Sequence, residues 1–283
     1  MNTLTIKHIE IGPGSPLAII AGPCMLESFD LCMKIAEAMS DRCTALGLSY
    51  FFKASFDKAN RSSIHSPRGV GMDEGLKMLN RLSTDLGVPV TTDIHEPSQA
   101  TAAAEAVDLL QIPAFLCRQS DLLAAAAKTG RPVNVKKGQF LSPAEMSSVI
   151  QKLTESGANK SGIMLTERGT FFGYQRLVND FIGIGDLMDL GWPVCFDVTH
   201  STQLPGAAGS DRTTVSGGRP ERAPLLARCA VAAGVQALFL ETHPEPAASP
   251  SDGATMLPLQ RTLDLLNELA RLHEAMKVAG VRS

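Results

Sequence analysis

No run of about 18 or more apolar residues occurs in this sequence, so a membrane-spanning helix is not expected. The opening residues, MNTLTIKHIEIGPG, lack the basic start and apolar stretch of a secretory signal, and a cytoplasmic protein is expected. An excess of one charge is missing too. Lys and Arg total 26 against 29 Asp and Glu, a net charge of −3, which gives the whole molecule no pull toward nucleic acid or an anionic membrane. An anion site therefore has to be a local cluster of cations. The six cysteines, Cys24, Cys32, Cys43, Cys117, Cys195 and Cys229, include no CxxC pair and are expected to stay reduced, mostly as small core residues. Nor is there a short repeat, a low-complexity tract or a linker, so residues 1–283 are expected to form one domain.

What is present is an alternation of short β-rich runs with longer helical patterns. The strand candidates are Leu17–Gly22, Tyr50–Ser55, Val88–Ile94, Leu109–Pro113, Val133–Lys137, Gly162–Arg168, Pro193–His200 and Gln236–His243. Helical segments between them include Glu27–Leu46, Asp73–Leu86, Gln119–Thr129 and Pro143–Ser156, and Leu257–Val278 comes after the last strand. Eight β-then-α units in 283 residues predict an α/β fold, a closed parallel (β/α)8 barrel, rather than an open sheet. Ahead of the first unit, Leu4–Ile11 alternates like a strand and runs into Gly12-Pro13-Gly14; paired with the residues just beyond, it is expected to form a β-hairpin covering one mouth of the barrel. Ser201–Pro220, rich in Gly, Ser and Thr, is too long for an ordinary connection and is expected to act as a lid.

Barrel enzymes keep their active sites at the C-terminal ends of the strands. Here those ends are polar almost without exception: Cys24, Lys53 and Ser55, Asp93, Gln111, Lys136, Arg168, His200 and Glu241. One charged strand end is ordinary solvated charge, but stability alone does not explain a nearly complete set. In Val133-Asn134-Val135-Lys136-Lys137 the valines share one face, so Lys136 joins Asn134 on the other and points into the barrel. Arg168 likewise aligns with Thr166. No GxxxxGK[ST] loop is present, so convergent Lys53, Lys58, Arg61, Lys136 and Arg168 suggest phosphate held by side chains; singly, each reads equally well as a surface charge. A second cluster falls where the last strand closes on the first. Cys24, His200, Glu241 and, in the loop after that strand, Asp252 offer thiolate, imidazole and carboxylates to a divalent transition metal. A buried structural cysteine and a hydrogen-bonded histidine are the alternative at this stage.

The motifs themselves are specific. KASFDKANRSSIHSPRGVG (Lys53–Gly71), TDIHEP (Thr92–Pro97), QIPAFLCRQSDLL (Gln111–Leu123), VNVKKGQFLSP (Val133–Pro143), TERGTFFGY (Thr166–Tyr174), DVTHS (Asp197–Ser201) and ETHPEP (Glu241–Pro246) resemble the 3-deoxy-D-manno-octulosonate 8-phosphate synthases, in order and from about Pro16 to Leu259. The resemblance implies a TIM barrel with an N-terminal hairpin closing the bottom, usually a homotetramer, that condenses phosphoenolpyruvate with arabinose 5-phosphate for lipopolysaccharide biosynthesis. It implies that Lys53, Ser55, Lys58, Lys136 and Arg168 surround phosphoenolpyruvate, with Gln111, Pro113 and Ala114 lining the same pocket. Asn60, Arg61 and Ser62 would hold the sugar phosphate, and Asp93 would face its reacting end. Phe115 and Arg118 would complete a neighbouring subunit's site.

The family has metal-dependent and metal-independent branches. Cys24, where the second branch has Asn, and Gly138, where it has Pro, are similar to the metal-dependent branch; Gly253 is closer to the other. A divalent ion (zinc, iron, manganese or cobalt) is implied at Cys24, His200, Glu241 and Asp252. The nearest alternative is a sister synthase using another aldose phosphate such as erythrose 4-phosphate, which resembles a KPRTS-type loop in place of Lys58-Ala59-Asn60-Arg61-Ser62. A non-catalytic phosphosugar-binding barrel is a third reading, which the polar strand ends disfavour.

Overall fold

The computed structural model describes residues 1–61, 64–205 and 217–280. Its central strands are β1 (Ala18–Gly22), β2 (Ser49–Lys53), β3 (Val90–Asp93), β4 (Leu109–Ile112), β5 (Val133–Lys136), β6 (Ile163–Glu167), β7 (Val194–Asp197) and β8 (Ala237–His243). All are parallel, each from β1 to β7 pairs with the next, and β8 closes the ring against both β7 and β1. The main helices are α1 (Phe29–Ala45), α2 (Met72–Leu86), α3 (Ala100–Ala106), α4 (Ser120–Lys128), α5 (Met146–Leu153), α6 (Phe181–Asp189), α7 (Ala223–Ala232) and α8 (Leu259–Val278), one after each strand. The fold is the expected (β/α)8 barrel. No helix among the described residues is long and apolar enough to cross a membrane.

Side chains alternate along a strand, and that period builds two cores. Outward residues such as Ile19, Phe52, Val90, Val135, Leu165, Phe196 and Leu240 pack with the helices. Inward ones, Ile20, Phe51, Leu109, Met164, Cys195 and Phe239, fill the barrel interior. One pleat further toward the C-terminal end, the same inward files carry Lys53, Asp93, Gln111, Lys136, Thr166, Asp197 and Glu241, all buried. The interior is thus apolar below and ionic above. Gly22 closes the ring beside this ionic layer. A Cβ there would overlap the carbonyl oxygen of Lys53, so β1 and β2 approach this closely only with glycine.

The bottom plug differs from expectation in detail. Leu4–Ile6 pairs antiparallel with Ile9–Ile11, so the hairpin is complete within Leu4–Ile11 and Gly12-Pro13-Gly14 only leads into β1. The pattern Leu4, Ile6, Ile9, Ile11 slips by one between Ile6 and Ile9, which is what a two-residue turn at Lys7-His8 requires. Lys7, at φ 52, fastens that turn by donating to Ser83 Oγ at 2.8 Å and pairing with Asp108 at 3.2 Å. The four apolar side chains join the interior core.

Two other boundaries moved. The helix expected over Pro143–Ser156 begins as a short turn capped by Ser142 and Glu145, runs as α5, and loosens into a wide turn over Thr154–Ala158, where Gly157 takes φ 118. The strand expected to reach His200 stops at Asp197, because the Asp197 carboxylate accepts the His200 backbone N–H at 2.9 Å and turns the chain. In the Ser201–Pro220 loop, Gln203–Leu204 pairs with Gly217–Gly218. The lid expected there falls mostly on residues 206–216, outside the described residues.

Truncating the plug tests this account of the lower core. Ile11 is fully buried. Ile11→Ala is expected to cost about 2–5 kcal/mol in urea denaturation, and a loss below about 0.5 kcal/mol, the scale of an ordinary surface change, would contradict it.

Candidate active site

Lys53, at the end of β2, is the hub of the mouth. Its Nζ donates to Ser55 Oγ at 2.8 Å, and it stands 3.6 Å from Asp93 Oδ1 and 3.5 Å from Glu241 Oε1. Ser55 in turn donates to Asp93, whose other oxygen lies 3.0 Å from His95 Nε2. Burial alone would raise the Asp93 carboxyl; Lys53, His95 and Lys58 outweigh it and hold the group well below its ordinary range. Asp93 is therefore an anion at neutral pH.

Across the mouth, Lys136 donates to Asp197 at 2.6 Å and lies over the Phe239 ring, 3.6 Å from its centre. Arg168 donates through Nη2 to Gln203 at 2.7 Å, while its Nη1, like Gln111 Oε1, is buried and has no hydrogen-bond partner among the described residues. Burial pushes both the Lys136 ammonium and the Arg168 guanidinium down, more than the surrounding carboxylates restore. Two buried cations, one of them with an unused donor at Nη1, suit an incoming anion, whereas Gln111 Oε1 is an acceptor and suits a hydroxyl or water. Lys137, on the outward face of β5, is buried as well. It donates to the carbonyl of Leu141 at 3.0 Å and stands 3.4 Å from Glu167, whose other oxygen accepts the backbone N–H groups of Arg168 and Gly169. That pair fixes the turn from which Arg168 enters the mouth.

On the opposite side, Cys24, Glu241 and Asp252 bring ligand atoms within 4.8 Å of one another. Cys24 Sγ donates to Asp252 Oδ2 and to Ser251 Oγ, both at 3.0 Å. Burial, then Asp252 and Glu241, push its thiol well up, while His200 and Lys58 hold the Asp252 carboxyl down against its own burial. His200 is adjacent, with Nε2 3.7 Å from Glu241 Oε2. Its Nδ1 lies 2.8 Å from Asp197 Oδ2; an ionised carboxylate only accepts, so Nδ1 carries a proton, and Nε2 is the ring nitrogen left to ligate a metal once the ring is neutral. The donor set fits a divalent transition metal on one further observation: both Glu241 oxygens are buried and accept no hydrogen bond among the described residues. Asp252 sits at φ 51, a conformation costing about 1–3 kcal/mol outside glycine, and Thr255 holds it through two hydrogen bonds to its carbonyl. Gly253, the residue that departs from the metal-dependent pattern, has a local reason: a Cβ would collide with the carbonyl of Pro246.

The other expected residues scatter more. Lys58 reaches the cluster, 4.0 Å from Glu241, and Ala114 is buried beside the half-buried Pro113. Arg61 is tied to the loop after β8, donating to Ser251 Oγ at 2.8 Å and to the carbonyls of Pro67 and Pro250. Asn60 is exposed in a turn, and Ser62 lies outside the described residues. Phe115 and Arg118 are exposed at the surface rather than in the mouth. Sequence reasoning missed Asp197, His95, Glu167 and Ser251 as parts of the site. Asp197 shares the inward file of Cys195, a signal that was there to be read.

The mouth of this (β/α)8 barrel, with its buried cations and its cluster of thiol and carboxylates, has the chemistry of an enzyme site that would take an anion. The chain belongs to the DAHP synthetase I family, whose pattern matches residues 2–278. It is 52% identical over 268 residues to a 2-dehydro-3-deoxyphosphooctonate aldolase of Cyanothece sp., covering 95% of this chain and 96% of that protein. Proteins of the same name from Koribacter versatilis (52% identity, 96% of each chain) and Protochlamydia amoebophila (46% identity, 99% of this chain and 100% of that one) are similar throughout.

Proposed function

We propose that residues 1–283 form one catalytic domain that condenses phosphoenolpyruvate with D-arabinose 5-phosphate and water, yielding 3-deoxy-D-manno-octulosonate 8-phosphate and phosphate for lipopolysaccharide synthesis. The observation that carries this reading is the convergence of Lys53, Lys136 and Arg168 in a buried mouth, in a chain whose relatives share one enzyme name over nearly full length. Lys136 and Arg168 take the phosphate and carboxylate of phosphoenolpyruvate, with Ser55, Lys58, Gln111, Pro113 and Ala114 around them. Asn60, Arg61 and Ser62 hold the sugar phosphate, and anionic Asp93 orients the aldehyde end.

The electrons of the phosphoenolpyruvate double bond form the new bond from its C3 to the sugar aldehyde carbon, whose oxygen takes a proton. Water adds at C2 and gives up a proton. The C2–O bond to phosphate then breaks and phosphate leaves with the electron pair, while the hydroxyl on C2 gives up its remaining proton and becomes the ketone oxygen of the product. Fixed cations stabilise charge that develops along this path, and holding both substrates in register removes the entropy of their encounter. Cys24, His200, Glu241 and Asp252 hold a divalent ion of zinc, iron, manganese or cobalt. When bound, such an ion polarises or orients oxygen atoms nearby. A cytoplasmic homotetramer is part of the proposal, supported by free cysteines and by exposed Phe115, Phe172 and Tyr174, the last two 95% exposed.

The family's name favours one rival, a synthase that takes erythrose 4-phosphate. Purified protein given phosphoenolpyruvate and a panel of aldose phosphates is expected to prefer arabinose 5-phosphate; preference for erythrose 4-phosphate would select the rival. In the same assay Lys136→Ala and Arg168→Ala are each expected to lose ~10²-fold or more in kcat/KM with the fold intact. Near-normal values in both would refute the assignment.

For the metal, elemental analysis is expected to find an ion in the wild type and much less in Cys24→Asn. Chelation is expected to lower activity, with several divalent ions restoring it unequally. Full activity in metal-free protein would remove the ion from the mechanism.

A further inference from the structure

One carboxylate touches both halves of the mouth. Asp197, at the end of β7, is fully buried, and its Oδ2 accepts from Lys136 Nζ at 2.6 Å. The same oxygen lies 2.8 Å from His200 Nδ1, and Oδ1 lies 3.0 Å from it while accepting the His200 backbone N–H at 2.9 Å. Both partners rest on Phe239: Lys136 Nζ is 3.6 Å and the His200 ring 5.8 Å from its ring centre. Among the described residues, the hydrogen-bonding groups on this carboxylate are the Lys136 ammonium and the His200 backbone N–H and Nδ1. We infer that Asp197 is a positioning residue that sets the His200 tautomer, with Nε2 turned toward Glu241, and the place of the Lys136 ammonium together, so that it couples the metal half of the mouth to the anion half. The inference rests on the functional reading above, because it needs an ion on one side and phosphoenolpyruvate on the other.

The chemistry of the isosteric change makes the idea testable. Asparagine offers one acceptor and one N–H₂ donor. If its oxygen keeps the His200 backbone N–H, its amide nitrogen faces Lys136 and His200 Nδ1, which are both donors. The imidazole then relaxes by moving its proton to Nε2, and that nitrogen can no longer ligate. Lys136 is left buried without its carboxylate.

The test compares metal-free wild type with Asp197→Asn by calorimetric titration with Mn²⁺ and, separately, with phosphoenolpyruvate, and reads the His200 tautomer by nitrogen NMR. Mn²⁺ affinity is expected to fall about 10- to 100-fold, as for other partners of a ligating histidine. Phosphoenolpyruvate affinity is expected to fall by about tenfold or more, the scale of a charged hydrogen bond. The proton is expected to move from Nδ1 to Nε2. Lys136→Met is expected to weaken phosphoenolpyruvate only, and His200→Ala the metal only. Should Asp197→Asn fold poorly, Lys136→Met/Asp197→Asn removes the stranded ammonium, and its Mn²⁺ affinity is expected to stay below that of Lys136→Met alone. Wild type that binds both probes, with Asp197→Asn keeping either affinity within about twofold or keeping the Nδ1 proton, overturns the link alone. Wild type that binds neither probe overturns the functional reading and the link together.

Discussion

Charge is costly to bury unless it is paired, and the upper layer of this barrel interior is made of buried charge. Lys53, Asp93, Lys136, Asp197 and Glu241 are each at most 6% exposed. Their mutual contacts give the layer its shape. Lys53 is shared by Asp93 and Glu241, while Asp197 is shared by Lys136 and His200. Among the described residues the pairing is incomplete: Arg168 keeps one buried donor unused, and Glu241 keeps both oxygens without a hydrogen bond. An apolar floor of Ile20, Phe51, Leu109, Met164 and Phe239 lies directly beneath and keeps water from completing the set from below. The mouth is thus held rigid by the pairs it makes and reactive through the ones it leaves open.

The two strand-end clusters follow from closure. In an open sheet, Cys24 on the first strand and Glu241 on the last would sit at opposite edges. Pairing of β8 with β1, with Glu241 opposite Gly22, brings them together. Gly22 is the residue that permits the approach. Barrel closure therefore assembles the thiol–carboxylate cluster from residues more than two hundred positions apart.

Much of this was legible because alternation is a strong signal in a strand buried on both faces. Asn134 and Lys136 had to share an inward face once the valines were assigned outward, and Phe51 and Lys53 obey the same rule. Lys137 shows the limit. Its parity puts it among the helices, where a lysine looks misplaced, and only the structure supplies Glu167 and the Leu141 carbonyl that satisfy it. The hairpin turn at Lys7-His8 was encoded in a one-residue slip of an apolar pattern, a cue short enough to be read as a continuous strand. Asp197 was hidden for another reason. Its inward parity with Cys195 was legible, but its contact with Lys136, 61 positions away, leaves no trace in local sequence.

At the centre of this account, the mouth joins phosphoenolpyruvate to arabinose 5-phosphate by cleaving the enol C–O bond. Phosphoenolpyruvate labelled with heavy oxygen at its bridging position, followed by phosphorus NMR, tests it directly. The label is expected in inorganic phosphate, and only when the sugar phosphate is present. Label retained in the octulosonate product, or phosphate released equally well without sugar, would contradict the account.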